Sequence, residues 1–463
     1  MSELGDFERL SDDIQQYSSL GIHPGLERVS RLFLRVGSPE RKIRSIQVLG
    51  TNGKGSTAST MESICAAAGM RTALYTSPHL ISLQERLRVR GKCLPIESWR
   101  RASDVVARAV ESDEKLEASR PTFFESLTVI CVLLISESDV DIAIIEAGMG
   151  GRFDATSVCG ASAAVITPIG MDHTEYLGDT LEAIASEKFA AVRPGAPAFY
   201  AADDERLTEL FSFTCEKVGA PCFALASVAF PRNVHCSLDG TTFDYVCGAG
   251  RLGIRGLRTP LAGVHQARNA SDAISVLLLL KEFGGQAAQE KNFPGLERIG
   301  EREIRAGLIS VDWPGRMELI RRGEGLSPLI LDGAHNEHGF RALVDSLRSL
   351  VEDGAVKSIG AIVFAVMRDK DISRIVECLK SIGAPIFCAQ PPTERASPAG
   401  ALASLLRDAG CDVAGAYVDP MEALDAATAS SGSDELVVCC GSLFLVGAIK
   451  QGMLRDNTRL AEK

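Results

Sequence analysis

The sequence predicts a two-domain α/β protein. We expect a first domain with a mostly parallel sheet that carries a P-loop, and a smaller Rossmann-like α/β domain at the C-terminal end. Three observations predict this fold. Apolar stretches of strand length alternate with stretches of helical period. The chain has 463 residues, more than one hydrophobic core usually supports. A glycine-rich stretch directly follows the first strand.

That glycine-rich stretch, V-L-G-T-N-G-K-G-S-T at residues 48–57, joins a strand to a helix. Its three glycines let backbone N–H groups face an anion, and Lys54 adds a positive charge. The hydroxyl that usually follows the lysine directly is displaced here to Ser56 and Thr57. We interpret the stretch as a phosphate-binding loop. The alternative is a glycine-rich turn with one solvated lysine.

Composition restricts the possible partners and compartments. The net charge of −11 argues against nucleic acid as the main partner. The thirteen cysteines are scattered without a C-x-x-C pair, which is typical of reduced cysteines in a cytosolic protein. The first residues are acidic and lack the apolar core of a signal peptide, and the longest mainly apolar stretch, 127–135, is too short to span a bilayer. The sequence therefore predicts a cytoplasmic protein without a membrane or nucleic-acid partner.

The first domain follows from the order of apolar patterns. Residues 7–17 and 25–36 have a helical period and lead into the first strand, which ends near residue 49. Beyond the loop we expect helices at 58–69, 99–110, 124–136, 181–192 and 205–218, and strands at 71–75, 140–147, 163–169, 197–201 and 222–225.

Polar side chains follow three of these strands. Ser77 lies in T-S-P-H-L, Glu146 opens E-A-G-M-G-G-R-F-D-A-T, and His173 lies in G-M-D-H-T. Open α/β sheets bind ligands at the carboxyl ends of their strands, so these residues indicate a metal or nucleotide site. A solvated acid and a structural histidine are the alternatives. Five of the seven histidines, His79, His173, His265, His335 and His338, lie in or within two residues of the motifs described in this section, which favours a functional role.

The rest of the chain predicts a second unit. Residues 234–257 favour a small hairpin region, 263–283 a helix that begins with H-Q-A-R-N-A, and 284–300 a loop. Strand and helix patterns then restart, with strands at 329–331, 359–366, 385–389, 413–417 and 436–440. We place the domains at 1–300 and 314–463, joined by a linker at 301–313. The second domain lacks a glycine-rich fingerprint, so bound phosphates are assigned to the first.

Seven motifs in this order give the chain a specific resemblance. They are G-T-N-G-K-G-S, T-S-P-H-L, E-A-G-M-G-G-R-F-D-A-T, the stretch around His173, H-Q-A-R-N-A, W-P-G-R and D-G-A-H-N. With them the chain resembles the folylpolyglutamate synthase and dihydrofolate synthase family, relatives of the muramyl ligases. The matches extend from near residue 20 to G-S-L-F-L-V-G at 441–447, nearly the whole chain.

The resemblance implies an ATP-dependent ligase that joins an amine to a carboxylate through an acyl phosphate. It also implies ATP, L-glutamate and dihydropteroate or reduced folates as substrates, Mg²⁺ as the metal, and a monomer. The first domain would then be the ATP-binding domain.

The resemblance also assigns roles to individual residues. ATP would be bound by Gly50, Thr51, Asn52, Gly53, Lys54, Gly55, Ser56, Thr57, His265, Gln266, Asn269, Arg316, Asp332 and His335. Magnesium would be held by Ser77, Glu146 and His173, and the catalytic set would be Lys54, Glu146, His173, Lys188 and Arg316. Lys188 matches a lysine that is carbamylated in this family. Cations suit the chemistry, because phosphoryl transfer depends on charge neutralisation and positioning. Oxygen ligands suit magnesium, which makes Glu146 the strongest of the three metal candidates.

Substrate choice is predicted from two further stretches. T-F-F-E at 122–125 and F-D-A-T at 153–156 resemble the bacterial bifunctional members, in which Phe124 and Asp154 would contact the pterin. An aromatic face and a carboxylate suit a pterin ring with its N–H donors. The chain departs from the family pattern at Ser157, Phe189, Ala190, Glu337 and Ala365, none of them a proposed phosphate or metal contact.

Three other functions remain as alternatives. One is a monofunctional folylpolyglutamate synthase. The second is a muramyl-type ligase acting on another carboxylate, although its UDP-binding domain would have no room before a phosphate loop that starts at residue 50. The third is a nucleotide-dependent switch whose loop only hydrolyses ATP.

Overall fold

The computed structural model describes residues 3–19, 21–248, 253–284, 293–323 and 325–461. The chain divides into two compact units. Unit 1 consists of Met1–Pro231, Tyr245–Arg255 and Asn269–Val311, and unit 2 of Arg232–Asp244, Gly256–Arg268 and Asp312–Lys463. The domain boundaries proposed from the sequence stay a prediction.

Eight strands of the described chain form the main sheet of unit 1, in the order β4-β3-β2-β5-β1-β6-β7-β8. They are β1 Ser45–Leu49, β2 Thr72–Tyr75, β3 Leu87–Val89, β4 Lys92–Cys93, β5 Ile142–Glu146, β6 Ala163–Ile166, β7 Ala198–Tyr200 and β8 Cys222–Ala224. The pairs β2–β3 and β3–β4 are antiparallel, and the remaining pairs are parallel. All residues of β1, β5 and β6 are buried, as expected for strands covered on both faces. The predicted mostly parallel sheet is confirmed.

Nine helices of the described chain precede or connect these strands. They are α1 Glu3–Gln16, α2 Glu27–Arg35, α3 Lys54–Ala67, α4 Ile96–Glu111, α5 Glu114–Ala118, α6 Phe123–Glu137, α7 Thr174–Leu177, α8 Leu181–Phe189 and α9 Glu205–Val218. The start of α6 shows how the sequence sets an element boundary. Thr122 and Glu125 form a reciprocal capping box, and Arg28 forms an ion pair with Glu125 at 3.0 Å. Such a cap stabilises a helix by about 1 kcal/mol.

The helix after the phosphate loop begins four residues earlier than the sequence predicts. We expected it to start at residue 58, but α3 starts at Lys54 with Gly53 in the left-handed region as its N-cap. Glycine adopts this conformation without the steric cost that a side chain would add. Ser56 and Thr57 therefore lie in the first turn of a helix.

The middle of the chain forms a small sheet of three strands in its described part, in the order β11-β10-β9. The strands are β9 Ala229–Ser237, β10 Gly240–Cys247 and β11 Ile254–Thr259, which confirms the predicted hairpin region. Two helices follow, α10 Val264–Gly284 and α11 Glu301–Ile309. Of the predicted loop at 284–300, residues 285–292 lie outside the described residues.

Helix α11 lies in the segment that the sequence assigned to the linker. It packs on α3: Ser63 donates to the carbonyl of Gly307 at 2.7 Å, and a Cβ added at Gly307 would lie 2.5 Å from Ile64 Cα. The helix that carries the phosphate loop is therefore supported from behind by a helix from much later in the chain.

In unit 2, six strands among the described residues form a sheet in the order β12-β13-β17-β14-β15-β16. The strands are β12 Glu318–Ile320, β13 Leu329–Leu331, β14 Ile359–Phe364, β15 Ile386–Ala389, β16 Val413–Tyr417 and β17 Leu436–Cys440. The helices are α12 Glu337–Glu352, α13 Ser373–Ile382, α14 Ala399–Asp408, α15 Pro420–Ala429 and α16 Leu443–Ala461. Only the pair β12–β13 is antiparallel, which confirms the predicted Rossmann-like alternation. No helix in the described ranges is long and apolar enough to cross a membrane.

Candidate active site

Four strands of the first sheet end side by side. The sheet order places β2, β5, β1 and β6 next to one another, and all of these pairs are parallel. Ser77 follows β2, Glu146 ends β5, Gly50 follows β1 and Thr167 follows β6. Parallel neighbours present their carboxyl ends at the same edge, so the phosphate loop lies inside a row of polar groups.

Close packing explains the glycines of the loop. Gly50 has φ of 134°, and a Cβ there would lie 1.9 Å from Thr167 Oγ1. Gly53 has φ of 84°, and a Cβ there would lie 2.6 Å from Asn269 Oδ1. Both the backbone conformation and the lack of space exclude a side chain at these positions. The backbone of the loop is therefore close to its neighbours on one side and can approach a ligand on the other.

The loop is fixed to the segment after β6. The Thr51 amide donates to the Pro168 carbonyl at 3.0 Å. The Thr51 hydroxyl donates to the Gly170 carbonyl at 3.1 Å and accepts from the Gly170 amide at 3.0 Å. These contacts hold the loop in one conformation, which favours a binding site that is formed before the ligand arrives.

The first turn of α3 supplies the anion-binding end of a helix. Backbone N–H groups at a helix N-terminus attract negative charge. Ser56 and Thr57 are buried there. Within the described part of the chain, Thr57 Oγ1 is a buried atom without a hydrogen-bond partner. A buried hydroxyl without a partner is costly, which indicates that a ligand at this turn would complete its bonding.

Two lysines meet at the loop. Lys54 Nζ donates to the carbonyls of Gly50 at 3.3 Å and Thr51 at 3.1 Å, and Lys188 Nζ donates to Gly50 at 2.8 Å. Lys188 is 4% exposed. Burial, followed by the positive charge of Lys54, lowers the pKa of Lys188 to about 7, against the opposing attraction of Asp172. Near neutral pH the Lys188 amine is therefore substantially uncharged.

The three predicted metal ligands occupy different strand ends. Glu146 is 5% exposed and accepts from the Ser77 amide at 3.2 Å, so the structure brings these two residues together. His173 lies two strands from Glu146, after β6, with φ of 50°. Its Nε2 is 4.0 Å from Asp172 Oδ1, which also accepts from the His173 amide.

These residues suit a hard cation that a nucleotide would help to hold. In the part of the chain that the structure describes, no group of three or more His, Cys, Asp or Glu side chains could hold a metal. Magnesium usually takes one or two carboxylates and completes its shell with phosphate oxygens and water. Glu146, with Ser77 beside it, matches that requirement.

The two predicted pterin contacts differ in environment. Phe124 lies in the first turn of α6 and is half-buried, and a Cβ added at Gly148 would lie 2.6 Å from its Cζ. Asp154 is buried and accepts from the amides of Met149 and Thr156, each at 2.9 Å, and from the Thr156 hydroxyl at 2.5 Å. Burial raises the pKa of Asp154. Asp154 thus fixes its own loop, in addition to any contact with a substrate.

Unit 2 holds the predicted residues from the second domain. Asp332 accepts from the amides of Met317 and Ala334, each at 2.8 Å, and is buried. His335 Nδ1 lies 2.9 Å from the Gly333 carbonyl. A Cβ added at Gly333 would lie 2.4 Å from Arg316 Nη1. The structure therefore brings Arg316 and the D-G-A-H segment together within unit 2.

Three predicted ATP contacts lie at the start of α10. Asn269 belongs to unit 1, where its side chain lies against Gly53. His265 and Gln266 belong to unit 2, and His265 Nδ1 lies 3.4 Å from Ser346 Oγ. Burial lowers the pKa of His265, and the Arg316 charge adds to this effect while Asp332 opposes it. His265 is therefore neutral at pH 7.

Sequence reasoning missed two supports of the site. Thr167 limits the space at Gly50, and its hydroxyl donates to the Leu49 carbonyl at 3.0 Å. Gln47, buried in β1, donates to the hydroxyls of Thr156 at 2.8 Å and Ser157 at 3.0 Å. The available signal was the long polar side chain of Gln47 between the apolar residues Ile46 and Val48 of a buried strand, which indicates a polar group that needs partners.

Comparisons with known proteins identify the family. Residues 48–277 match the Mur ligase middle domain, and residues 315–443 match the Mur ligase, glutamate ligase domain. The dihydrofolate synthase/folylpolyglutamate synthase of Bacillus subtilis (strain 168) is 33% identical over 433 residues, which cover 93% of this chain and 95% of that protein. The chain belongs to the dihydrofolate synthase/folylpolyglutamate synthase family.

Solved structures agree with this family. Escherichia coli FolC in complex with DHPP and ADP has a TM-score of 0.80 at 27% identity, covering 98% of this chain and 99% of that chain. A bifunctional folylpolyglutamate synthase/dihydrofolate synthase with Mn, AMPPNP and L-glutamate bound has a TM-score of 0.78 at 27% identity and 98% coverage of both chains.

Membership of the dihydrofolate synthase/folylpolyglutamate synthase family confirms three predictions from the sequence. These are the family resemblance, the two-part α/β fold and the enzyme class, an ATP-dependent ligase. The assignment of individual site residues stays a prediction, and it is developed below.

Proposed function

We propose that this protein is a bifunctional ligase that uses ATP to add L-glutamate to dihydropteroate and to the glutamate tail of reduced folates. The observation that carries the proposal is the phosphate loop, which lies between Glu146 and the end of β6 with two lysines against its backbone. The names of the B. subtilis relative and of the E. coli complex support the choice of substrates.

The proposed reaction has two steps. A carboxylate oxygen of the folate substrate attacks the γ-phosphorus of ATP, which forms an acyl phosphate and releases ADP. The amino group of glutamate then attacks the acyl carbon, the new C–N bond replaces the C–O bond, and phosphate leaves with the amine proton released to solvent. Most of the assistance in such a reaction comes from positioning and charge neutralisation.

The residues of unit 1 suit the first step. The N–H groups at the start of α3 and the Lys54 charge would stabilise negative charge on the phosphates of ATP. Gly50 to Thr57 would enclose those phosphates, and Asn269 would contact the nucleotide from α10. Lys54 Nζ can exchange its two backbone carbonyls for phosphate oxygens, because both contacts are longer than 3.0 Å.

Mg²⁺ is the proposed metal, with Ser77, Glu146 and His173 as ligands. When bound, it would neutralise phosphate charge and orient the γ-phosphate. The relative that contains Mn supports a divalent cation at such a site. We also retain carbamylation of Lys188 as part of the proposal. Only an uncharged amine reacts with carbon dioxide, and the lowered pKa of Lys188 makes that form abundant near neutral pH.

Other assignments of the proposal rest on the resemblance. His265, Gln266, Arg316, Asp332 and His335 would contribute to ATP binding and catalysis, and Phe124 with Asp154 would bind the pterin. We further propose that the enzyme acts as a monomer in the cytoplasm. The thirteen cysteines, scattered without a C-x-x-C pair, support that compartment.

Measurement of ADP release tests the proposed function directly. Purified protein is supplied with ATP, glutamate and either dihydropteroate or a reduced folate, and each substrate is omitted in turn. We expect ADP only when all three are present, with one amide product formed per ADP. ADP formation with only one of the two folate substrates would indicate a monofunctional enzyme. ADP formation without glutamate would indicate a nucleotide-dependent switch.

A further inference from the structure

A pair of cysteines lies at one edge of the first sheet, away from every residue assigned above. Cys215 is in the last turn of α9, and Cys222 begins β8, the edge strand opposite β4. The chain reverses between them. Gly219 ends the helix in the left-handed region, and the Ala220 amide donates to the Cys215 carbonyl at 2.9 Å. This reversal places Cys222 against the last turns of α9: its Sγ lies 3.8 Å from the Oγ of Ser212, which is one helical turn before Cys215. The two thiols are therefore neighbours that interact electrostatically.

We propose that Cys215 and Cys222 form a peroxide-sensitive dithiol, in which Cys222 is the attacking thiolate and Cys215 the resolving thiol. The two residues differ in accessibility as these roles require. Cys222 is exposed, so a small oxidant can reach it, whereas Cys215 is 0% exposed and can react only with a neighbour. Reactive cysteines are usually accessible and have stabilised thiolates.

The hydrogen bonds around Cys222 favour its thiolate. The neutral Cys222 thiol donates to the Ser212 hydroxyl at 3.8 Å. Once Cys222 is ionised, its sulfur can accept from the Ser212 hydroxyl and from the Cys215 thiol. The bond from Cys215 is the largest cause that lowers the pKa of Cys222 to about 7, while burial opposes it. The same bond raises the pKa of Cys215, which keeps its proton. Near pH 7 about half of the pairs therefore hold a single proton, with the thiolate on Cys222.

The chemistry is balanced with a peroxide as the oxidant. The Cys222 thiolate attacks one peroxide oxygen, the O–O bond breaks, and a sulfenic acid and hydroxide form. The Cys215 sulfur then attacks the Cys222 sulfur, the S–O bond breaks, and the oxygen leaves as water with the Cys215 proton. Two thiols are oxidised, one peroxide is reduced to two waters, and a disulfide joins the end of α9 to β8. A resolving thiol in contact with the sulfenic acid prevents further oxidation.

Cys93 provides a matched control within the same sheet. It is also exposed, but it lies on β4, the opposite edge strand, so it cannot form a disulfide with Cys222 in the folded chain. At pH 7 a thiol with a pKa near 7 is about half ionised, compared with a few per cent of an ordinary thiol. We therefore expect the Cys222 thiolate to be oxidised on the order of 10-fold faster than a thiol of ordinary pKa, even though a more acidic thiolate is less nucleophilic.

The experiment treats the full-length protein with a small excess of hydrogen peroxide and follows intact mass and tryptic peptides. We expect loss of two hydrogens and a cross-linked peptide pair containing Cys215 and Cys222, both reversed by dithiothreitol. Cys93→Ser should leave this product unchanged, and Cys222→Ser should abolish it. Cys215→Ser should convert Cys222 to sulfenic acid, which dimedone traps, and then to higher oxidation states.

Two results would overturn the proposal. One is a disulfide of Cys215 or Cys222 with a third cysteine in place of the Cys215–Cys222 cross-link, and the other is accumulation of sulfenic acid on Cys222 without a cross-link. Both are measured without any substitution, so a failure of Cys215→Ser to fold would not affect them. Neither result depends on the ligase function proposed above.

Discussion

The carboxyl edges of the two sheets differ in how far their polar groups already have hydrogen-bond partners within the protein. At the carboxyl edge of the first sheet, the residue after β1 is a glycine with no space for a side chain, and the helix that follows starts with a buried hydroxyl that lacks a partner in the described chain. At the edge of the second sheet, Asp332 follows β13 and both of its oxygens already accept backbone amides. The buried hydroxyl at the first edge has no protein partner among the described residues, whereas each Asp332 oxygen already accepts one bond within unit 2 and stabilises that unit before any ligand binds.

This difference separates groups that bind a ligand from groups that stabilise the fold. At the first edge, the helix N-terminus and the two lysines make their most favourable electrostatic interactions only when an anion binds. A buried carboxylate that accepts from two backbone amides stabilises the folded state without any ligand. The predictions below test this division, from the largest expected effect to the smallest.

Lys54→Ala should give the largest loss of activity. Removal of a charge beside a reacting phosphoryl group costs on the order of 100-fold or more in rate. The shape of the loop depends on glycines and on Thr51, so unfolding free energy should change within about 0.5 kcal/mol. ADP formation and thermal unfolding are measured on the same preparation, with Lys217→Ala on the exposed end of α9 as the control. Parent-like turnover would refute the phosphate-loop assignment.

Asp332→Ala should mainly destabilise the protein. It leaves the amides of Met317 and Ala334 without their acceptor in a buried place, which costs about 1–3 kcal/mol. Urea unfolding measures the change, and Asp332→Asn, which retains one carbonyl oxygen, should lose less. If Asp332→Ala unfolds like the parent, the bonds of Asp332 to the two amides do not stabilise unit 2, and the contrast between the two sheet edges is wrong.

Asp154→Asn should separate the two proposed activities. If the carboxylate binds the pterin of dihydropteroate, dihydrofolate synthesis should fall about 10-fold or more, and glutamate addition to a preformed reduced folate should fall less. Thr156→Val is the control, because it removes the hydroxyl that donates to Asp154 and leaves the carboxylate in place. The control should lower both activities equally. Equal losses in Asp154→Asn would eliminate a separate pterin contact.

Lys188→Met should change the pH dependence of stability. Burial lowers the pKa of folded Lys188 to about 7, compared with 10.5 for an ordinary lysine. Between these values the unfolded chain binds more protons, so the unfolding free energy of the parent rises with pH. Below pH 7 the cost of burying the charge is fully present, and the methionine variant should be more stable there by on the order of 1 kcal/mol.

That advantage should shrink as pH rises from 7 towards 10, although activity is lost at every pH. The measurement is urea unfolding at several pH values in buffer free of carbon dioxide. An advantage that stays constant with pH would show that Lys188 is not protonated differently in the folded and unfolded chains.

The sequence was sufficient to predict elements that depend on residue patterns within a short stretch of chain. Alternating patterns predicted both parallel sheets, and Gly50, Gly53 and Lys54 predicted the phosphate loop because each has a local reason to be there. The start of α3 was placed four residues late, since Gly53 acts as a left-handed cap and sequence patterns rarely specify such a cap. The contacts of Thr167, Asn269 and Gly307 with the loop and α3 could not be predicted, because each joins residues more than one hundred positions apart.

Transfer of oxygen from the carboxylate of dihydropteroate to phosphate tests most directly whether the reaction forms an acyl phosphate. Dihydropteroate labelled with ¹⁸O in its carboxylate is supplied with ATP and glutamate, and the released phosphate is analysed by mass spectrometry. If the phosphate loop supports acyl phosphate formation, one labelled oxygen should appear in phosphate for each amide formed. Phosphate that carries oxygen only from ATP and solvent would contradict the account.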